Sequence, residues 1–430
     1  MSAGFASREE IVAQQLAKLG ELISALIPAN RFYAEKLSGI DSLFSSLEDF
    51  SRKIPFTTKP EMVADQEKNP PYGTNLTFPL ERYTRFHQTS GTTGRPLRWL
   101  DTPENWEWMA QNWMNIFRAA KVGANDKIYF AFSFGPFIGF WLAFDAAQKL
   151  GSLCFPGGGL SSEARLKAIL ENEITVLCCT PTYALRLAEI AGFGSPPEGG
   201  TPNQSRVRKI IVAGEPGGSI PATRERLEKL WPDAKVFDHH GMTETGPVTY
   251  ECPAQPGVLH VLESAYYAEI VDPKTGFAIP PGEKGELILT TLGRIGSPVL
   301  RYRTGDLVQC VENSPCICGS CELALRGGIL GRTDDMFVVR GVNIHPSAIE
   351  DVLRRFEDIA EFQASVTTQN SMTELSLRIE TKSDCKNPEN LAARIGKELQ
   401  TIFSLRVPVL LVAQGTLPRF EMKAKRWILA

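Results

Sequence analysis

The feature that most constrains this chain is an alternation of short apolar runs with helix-period segments between Trp106 and Phe237. Trp106 to Ala120 predicts a helix, Lys127 to Phe132 a strand, Phe140 to Leu150 a helix and Ser152 to Phe155 a strand. A helix opened by a serine cap follows at Ser161 to Glu171, then a strand at Ile174 to Cys179 and a helix at Tyr183 to Ala191. A strand at Lys209 to Val212, a helix at Pro221 to Leu230 and a strand at Lys235 to Phe237 complete the series. Strands separated by helices pair in parallel, because each crossover returns the chain in the same direction. The expected class is α/β: a large N-terminal domain of mixed and parallel sheets with flanking helices.

The flanks differ in texture. Ile11, Leu16, Leu19, Leu22, Ile23, Leu26 and Ile27 recur at helical spacing up to Pro28, after which prolines at 55, 60, 70, 71 and 79 predict an irregular stretch. Beyond residue 248, Tyr266 to Val271 and Gly285 to Thr291 read as strands of a β-rich subdomain. The last hundred residues predict a small α+β unit. It has strands at Met336 to Arg340, Ala364 to Thr367, Glu374 to Ile379 and Val407 to Val412, with helices at Pro346 to Arg355 and Pro388 to Phe403. The expected division is an N-terminal domain over 1–330 and a C-terminal domain over 331–430.

Charge and cysteine content narrow the function. Lys plus Arg is 46 and Asp plus Glu is 49, a net charge of −3, so phosphate electrostatics do not favour a nucleic-acid partner. No apolar run approaches the roughly 20 residues a membrane span needs, and Ile128 to Leu142 is broken by Ser133, Gly135, Pro136 and Gly139. The N-terminus lacks a basic segment followed by an apolar one, so a cytoplasmic location is expected. Nine cysteines are too few for a disulfide scaffold, and three crowd together at Cys316, Cys318 and Cys321, which suggests metal.

Several segments suit phosphate and metal chemistry. Thr89-Ser90-Gly91-Thr92-Thr93-Gly94-Arg95-Pro96 can wrap a polyphosphate with its amides and hydroxyls, although it lacks a P-loop ending. Ala213-Gly214-Glu215-Pro216-Gly217 and Asp238-His239-His240-Gly241-Met242-Thr243-Glu244-Thr245 each follow a strand, where ligands of open α/β sheets bind. Glu244 is an oxygen donor of the kind Mg²⁺ accepts. Asp306 follows a glycine turn in Arg301-Tyr302-Arg303-Thr304-Gly305-Asp306-Leu307 and suits a ribose diol. Gly331-Arg332-Thr333-Asp334-Asp335, Arg340-Gly341-Val342-Asn343 and the basic tail Leu417 to Arg426 complete the set.

Together these segments resemble the adenylate-forming superfamily of acyl-CoA synthetases, adenylation domains and luciferases, over nearly the whole chain. Within it they are similar to the phenylacetate–CoA ligase group. The resemblance implies a large domain and a small mobile one. It implies ATP contacts at Ser90, Gly91, Thr92, Thr93, Gly94, Gly214, Glu215, Pro216, Asp238, His239, Asp306 and Arg332. It places Mg²⁺ on Glu244, with Thr243 beside it, and names Lys423 as the catalytic lysine, with Lys425 as the fallback. Asp334 becomes the hinge, and Arg340 and Gly341 meet coenzyme A. His240 stands where the superfamily usually has Tyr, and Met422 where a Gly usually precedes the lysine. An aromatic carboxylic acid is expected, in a pocket of Phe134, Phe137, Ile138, His240 and Gly241. Its carboxylate, already ionised, attacks the α-phosphorus and pyrophosphate leaves. The mixed anhydride then meets a thiol.

The group also implies a structural zinc on Cys252, His260, Cys316 and Cys318. A local set of Cys310, Cys316, Cys318 and Cys321, or free thiols, remain open. Relatives are often homodimers, which the resemblance extends to this chain. Two other readings stand beside the CoA ligase. One is transfer to a carrier-protein phosphopantetheine, or nucleotidylation of a cofactor hydroxyl. The other is a non-catalytic zinc-stabilised nucleotide-binding module, against which Glu244, Asp306, Arg332 and Lys423 speak together.

Overall fold

A computed structural model describes residues 6–89, 96–193, 205–311, 315–340, 342–369, 372–420 and 424–429. Its centre is a five-stranded sheet in the spatial order Leu153–Pro156, Lys127–Phe130, Val176–Cys179, Lys209–Val212 and Lys235–Asp238, all neighbours parallel. Alternate side chains face opposite layers. Ile128, Phe130, Val176, Cys178 and Ile211 join one core with helices Pro103–Ala119 and Trp141–Lys149. Tyr129, Leu177, Cys179, Ile210 and Val236 join the other with helices Pro181–Ile190 and Pro221–Leu230. Both faces are covered, which is why these strands read as continuous apolar runs.

The order places the first strand between the second and third. The chain therefore leaves the sheet in opposite directions on either side of the Lys127–Phe130 and Val176–Cys179 pair, and a crevice opens at their carboxyl ends. The segments 131–140, 213–219 and 239–245 all leave carboxyl ends of this sheet.

The proline-rich stretch departs from its expectation, since it contains the helix Lys59–Lys68. Thr58 and Glu61 form a reciprocal capping box, and Pro60 sits in the first turn, where a missing N–H costs no hydrogen bond. Just before it, the Thr57 N–H donates to the Arg301 carbonyl (3.0 Å) and the Arg303 N–H to the Thr57 carbonyl (2.9 Å), a seam between the start of the chain and a distant strand.

The β-rich part is antiparallel. Tyr266–Val271, Lys284–Thr291, Tyr302–Gln309 and Gly331–Arg332 form one sheet, and Thr249–Glu251, Val258–Val261 and Ala324–Arg326 another. The C-terminal segment has a core of its own, drawn from residues between Val339 and Val407. Its sheet runs Val409–Val412, Met372–Thr381, Ile359–Gln369, Trp427–Leu429, an antiparallel centre with parallel outer strands. Among the described residues, no helix is long and apolar enough to cross a membrane.

Candidate active site

Past the last parallel strand, Gly241–Met242 and Gly246–Pro247 pair as a short hairpin with Thr243, Glu244 and Thr245 at its tip. Arg294 fixes this tip from below. Its guanidinium forks onto Asp101 at 2.7 and 2.6 Å, both side chains fully buried, and donates to the Thr243 carbonyl at 2.8 Å. The Glu244 side chain is 7% exposed and needs partners. Tyr302 donates its hydroxyl to Oε1 at 3.2 Å, and the Lys59 ammonium lies 3.4 Å from the same oxygen. Mg²⁺ takes one or two carboxylates plus substrate phosphates, and a buried, braced carboxylate such as Glu244 fits that demand. Lys59 carries no sequence signal for this role; only the tertiary fold brings it here.

Asp306 lies on the same strand as Tyr302. Its Oδ1 is 3.3 Å from Arg332, and its Oδ2 is 3.2 Å from Nε2 of His240. Neither of those facing atoms, Asp306 Oδ2 and His240 Nε2, has an aligned hydrogen bond, and both are buried. A carboxylate oxygen and an imidazole nitrogen orphaned side by side suit hydroxyls such as a ribose diol. Gly305 has φ +75°, and a Cβ there would lie 2.6 Å from the Arg332 guanidinium, so the turn requires glycine. Arg332 also donates to the Thr304 carbonyl (3.2 Å) and pairs with Asp334 (2.8 and 3.1 Å).

His239 is 6% exposed, and both its ring nitrogens lack partners. Burial pushes its pKa down to about 3, so it is neutral. It meets Trp113 edge-on at 4.3 Å. Phe134, at φ +50°, packs on Phe132 (4.3 Å) and Trp141 (4.8 Å); Phe137 is half-buried and Ile138 buried. Gly241 is exposed at the hairpin start. Asp238 accepts from the Ser219 hydroxyl at 2.6 Å, and burial raises its carboxyl to about 6.

Glu215 uses both oxygens on backbone amides, Thr182 N–H at 2.8 Å and Ala424 N–H at 3.0 Å, while Gly214 and Pro216 are exposed beside it. Arg340 pairs bidentately with Glu374 at 2.8–3.0 Å. Ser90, Gly91, Thr92, Thr93, Gly94, Gly341 and Lys423 lie outside the described residues.

Away from the crevice, Cys252, His260, Cys316 and Cys318 bring their ligand atoms within 4.8 Å of one another. The Cys252 and Cys316 sulfurs are 3.7 Å apart, and Cys318 Sγ is 3.4 Å from His260 Nε2. With Zn–S near 2.3 Å and tetrahedral angles, the sulfur–sulfur edge is about 3.8 Å, so the donors fit zinc. The other ring nitrogen of His260 faces the Glu322 carbonyl at 3.4 Å, which orients Nε2 toward the cluster. Cys310, in a bridge with Leu325, and Cys321 are not part of this group.

Residues 86–293 match the family model of AMP-binding enzymes, and residues 341–428 that of the AMP-binding enzyme C-terminal domain. The phenylacetate-coenzyme A ligase of Escherichia coli (strain K12) is 31% identical over 399 residues, covering 89% of this chain and 86% of that protein. The chain belongs to the AMP-binding enzyme family. Its reaction class follows, that of an AMP-forming acid–thiol ligase. A 2-hydroxyisobutyryl-CoA ligase, crystallised in the postadenylation state with 2-HIB-AMP, superposes on this AMP-binding enzyme with a TM-score of 0.92 at 27% identity, covering 99% of this chain and 91% of that one. The same ligase in its thioesterification state, with 2-HIB-AMP and CoA, gives 0.73 at 28% identity over the same coverage.

Proposed function

We propose that this AMP-binding enzyme activates an aromatic carboxylic acid, phenylacetate- or benzoate-like, as its acyl-adenylate and passes the acyl group to coenzyme A. The observation that carries this is the convergence of Glu244, Asp306, His240 and Arg332 through contacts of 3.2–3.4 Å or one shared strand. Asp306 and His240 take the ribose hydroxyls. Arg332 and Lys423 neutralise phosphate charge, with the amides of Ser90 to Gly94 around the triphosphate. Glu244 would hold Mg²⁺, which when bound would supply further charge neutralisation on the phosphates. The ionised acid attacks the α-phosphorus in line without a general base. The rings of Phe134, Phe137 and Trp141 favour a flat apolar acid, and His239, neutral and unpartnered, suits a hydrogen-bonding substituent on it.

The chain works as two units that meet at the turn around Asp334, later than the boundary at 330, because the strand Gly331–Arg332 pairs with Tyr302–Gln309 of the large unit; Arg340 and Gly341 serve coenzyme A in the second step. Zinc on Cys252, His260, Cys316 and Cys318 is structural, since four protein ligands leave no open position.

The test is a panel of aryl, arylacetic and fatty acids, following pyrophosphate and AMP with and without coenzyme A. An aryl or arylacetic acid should release pyrophosphate and, with coenzyme A, give a thioester. Fatty-acid preference would remove the aromatic pocket, and thioester formation only on a carrier protein would remove coenzyme A.

A further inference from the structure

We infer that Glu215 is a positioning residue that holds the C-terminal tail at Ala424 in place before thioester formation and releases it for that step. This rests on the adenylating reading above. One oxygen accepts the Thr182 N–H at the start of helix Pro181–Ile190, and the other accepts the Ala424 N–H, the residue directly after Lys423. Through these two backbone amides Glu215 bridges the large unit and the tail.

A second contact crosses the same boundary. Arg426 donates to the Thr182 hydroxyl at 3.2 Å, so Thr182 meets the tail through its side chain and Glu215 through its backbone. Arg426 is 5% exposed and is otherwise anchored within the C-terminal segment, on Glu361 at 2.7 and 3.2 Å and on Glu350 at 3.3 Å. Those bonds travel with that segment when it moves. The bonds from Glu215 to Ala424 and from Arg426 to Thr182 do not, because their partners sit on different bodies. The TM-scores of 0.92 and 0.73 against the two states of one ligase place the observed arrangement with the postadenylation state. The two crossing contacts, with Arg226 on the Ile359 carbonyl and Lys229 on Glu357 beside them, therefore belong to the arrangement that precedes thioester formation, and they break when the C-terminal segment moves for the second step.

Gln is a sharp probe, since its amide keeps one acceptor and presents an NH₂ to the other N–H. The experiment measures the two half-reactions separately in the full-length enzyme with Glu215→Gln. Adenylation is read as ATP–pyrophosphate exchange, and thioester formation as product from supplied acyl-adenylate and coenzyme A. Exchange kcat should fall about tenfold or more with the KM for ATP little changed, while thioester formation stays at wild-type rate or rises. Thr182→Val keeps the backbone bond to Glu215 and deletes only the hydroxyl, so it should give a smaller loss confined to exchange. Equal loss in both half-reactions, or a raised KM for ATP at unchanged exchange kcat, would overturn the latch. Small-angle scattering of the unliganded protein gives a readout independent of activity: Glu215→Gln should shift the distribution away from the wild-type arrangement, and identical curves count against the proposal. Absence of exchange in the wild-type enzyme with every acid would instead defeat the adenylating reading, leaving the scattering comparison to judge the latch.

Discussion

At the scale of single residues, Asp306 carries the proposed ribose contact. Its Oδ1 is near Arg332, and its Oδ2 waits beside His240 without an aligned partner. Hydrogen bonds to a charged group are worth about 1.5–3 kcal/mol, and each 1.4 kcal/mol is tenfold. Asp306→Asn should therefore raise the KM for ATP in pyrophosphate exchange by roughly 10- to 100-fold, and should cost less with 2′-deoxy-ATP. A KM within twofold of wild type would rule out the ribose role. Asp306 and Glu244 stood out in the sequence because their motifs resemble those of the adenylate-forming superfamily. Lys59 and the Tyr302 hydroxyl on Glu244 were not, because that contact joins segments far apart in sequence and leaves no local pattern. His240 was visible as a departure from Tyr, but its approach to Asp306 needed the fold.

Two elements carry predictions of their own. The loop 315–320 is held against the strands Thr249–Glu251 and Val258–Val261 by Cys252, His260, Cys316 and Cys318. Protein purified without chelator should contain about one zinc per chain, and Cys316→Ser should lose it and lower the melting midpoint by roughly 5 °C or more. Less than half an equivalent of zinc by metal analysis would contradict this. In the C-terminal sheet, Glu380 accepts the Gly415 and Leu417 N–H groups at 2.9 and 3.1 Å and pairs with Arg419. Burial would raise its carboxyl, but Arg419 and the two amides outweigh burial and hold it at about 2. Because the folded value lies below the unfolded one, this stabilisation is complete above about pH 4.5 and is lost as pH falls toward 2. The stability gap between wild type and Glu380→Gln, from denaturant melts, should shrink over that window; a constant gap would refute the linkage. The helix Lys59–Lys68 is the element the prolines concealed, since Pro60 breaks a helix interior but not a first turn.

Across the whole molecule, alternation announced the parallel sheet, and Lys209–Val212 and Pro221–Leu230 fall where periodicity put them. The order of the strands was not readable, because alternation dictates direction and says nothing of which edge each strand joins. The strand Trp427–Leu429 was equally hidden: three residues after a basic tail become a strand only by pairing with Ile359–Gln369. The seam at Thr57 also limits how this enzyme can be dissected. It stitches the opening stretch of the chain to the strand that carries Asp306, two residues before the cation leaning on Glu244. A chain trimmed to begin at residue 90 would strip Lys59 from Glu244 and the Thr57 pairing from the strand of Tyr302 and Asp306, so the helix Lys59–Lys68 is masonry of the proposed reaction chamber rather than a detachable porch.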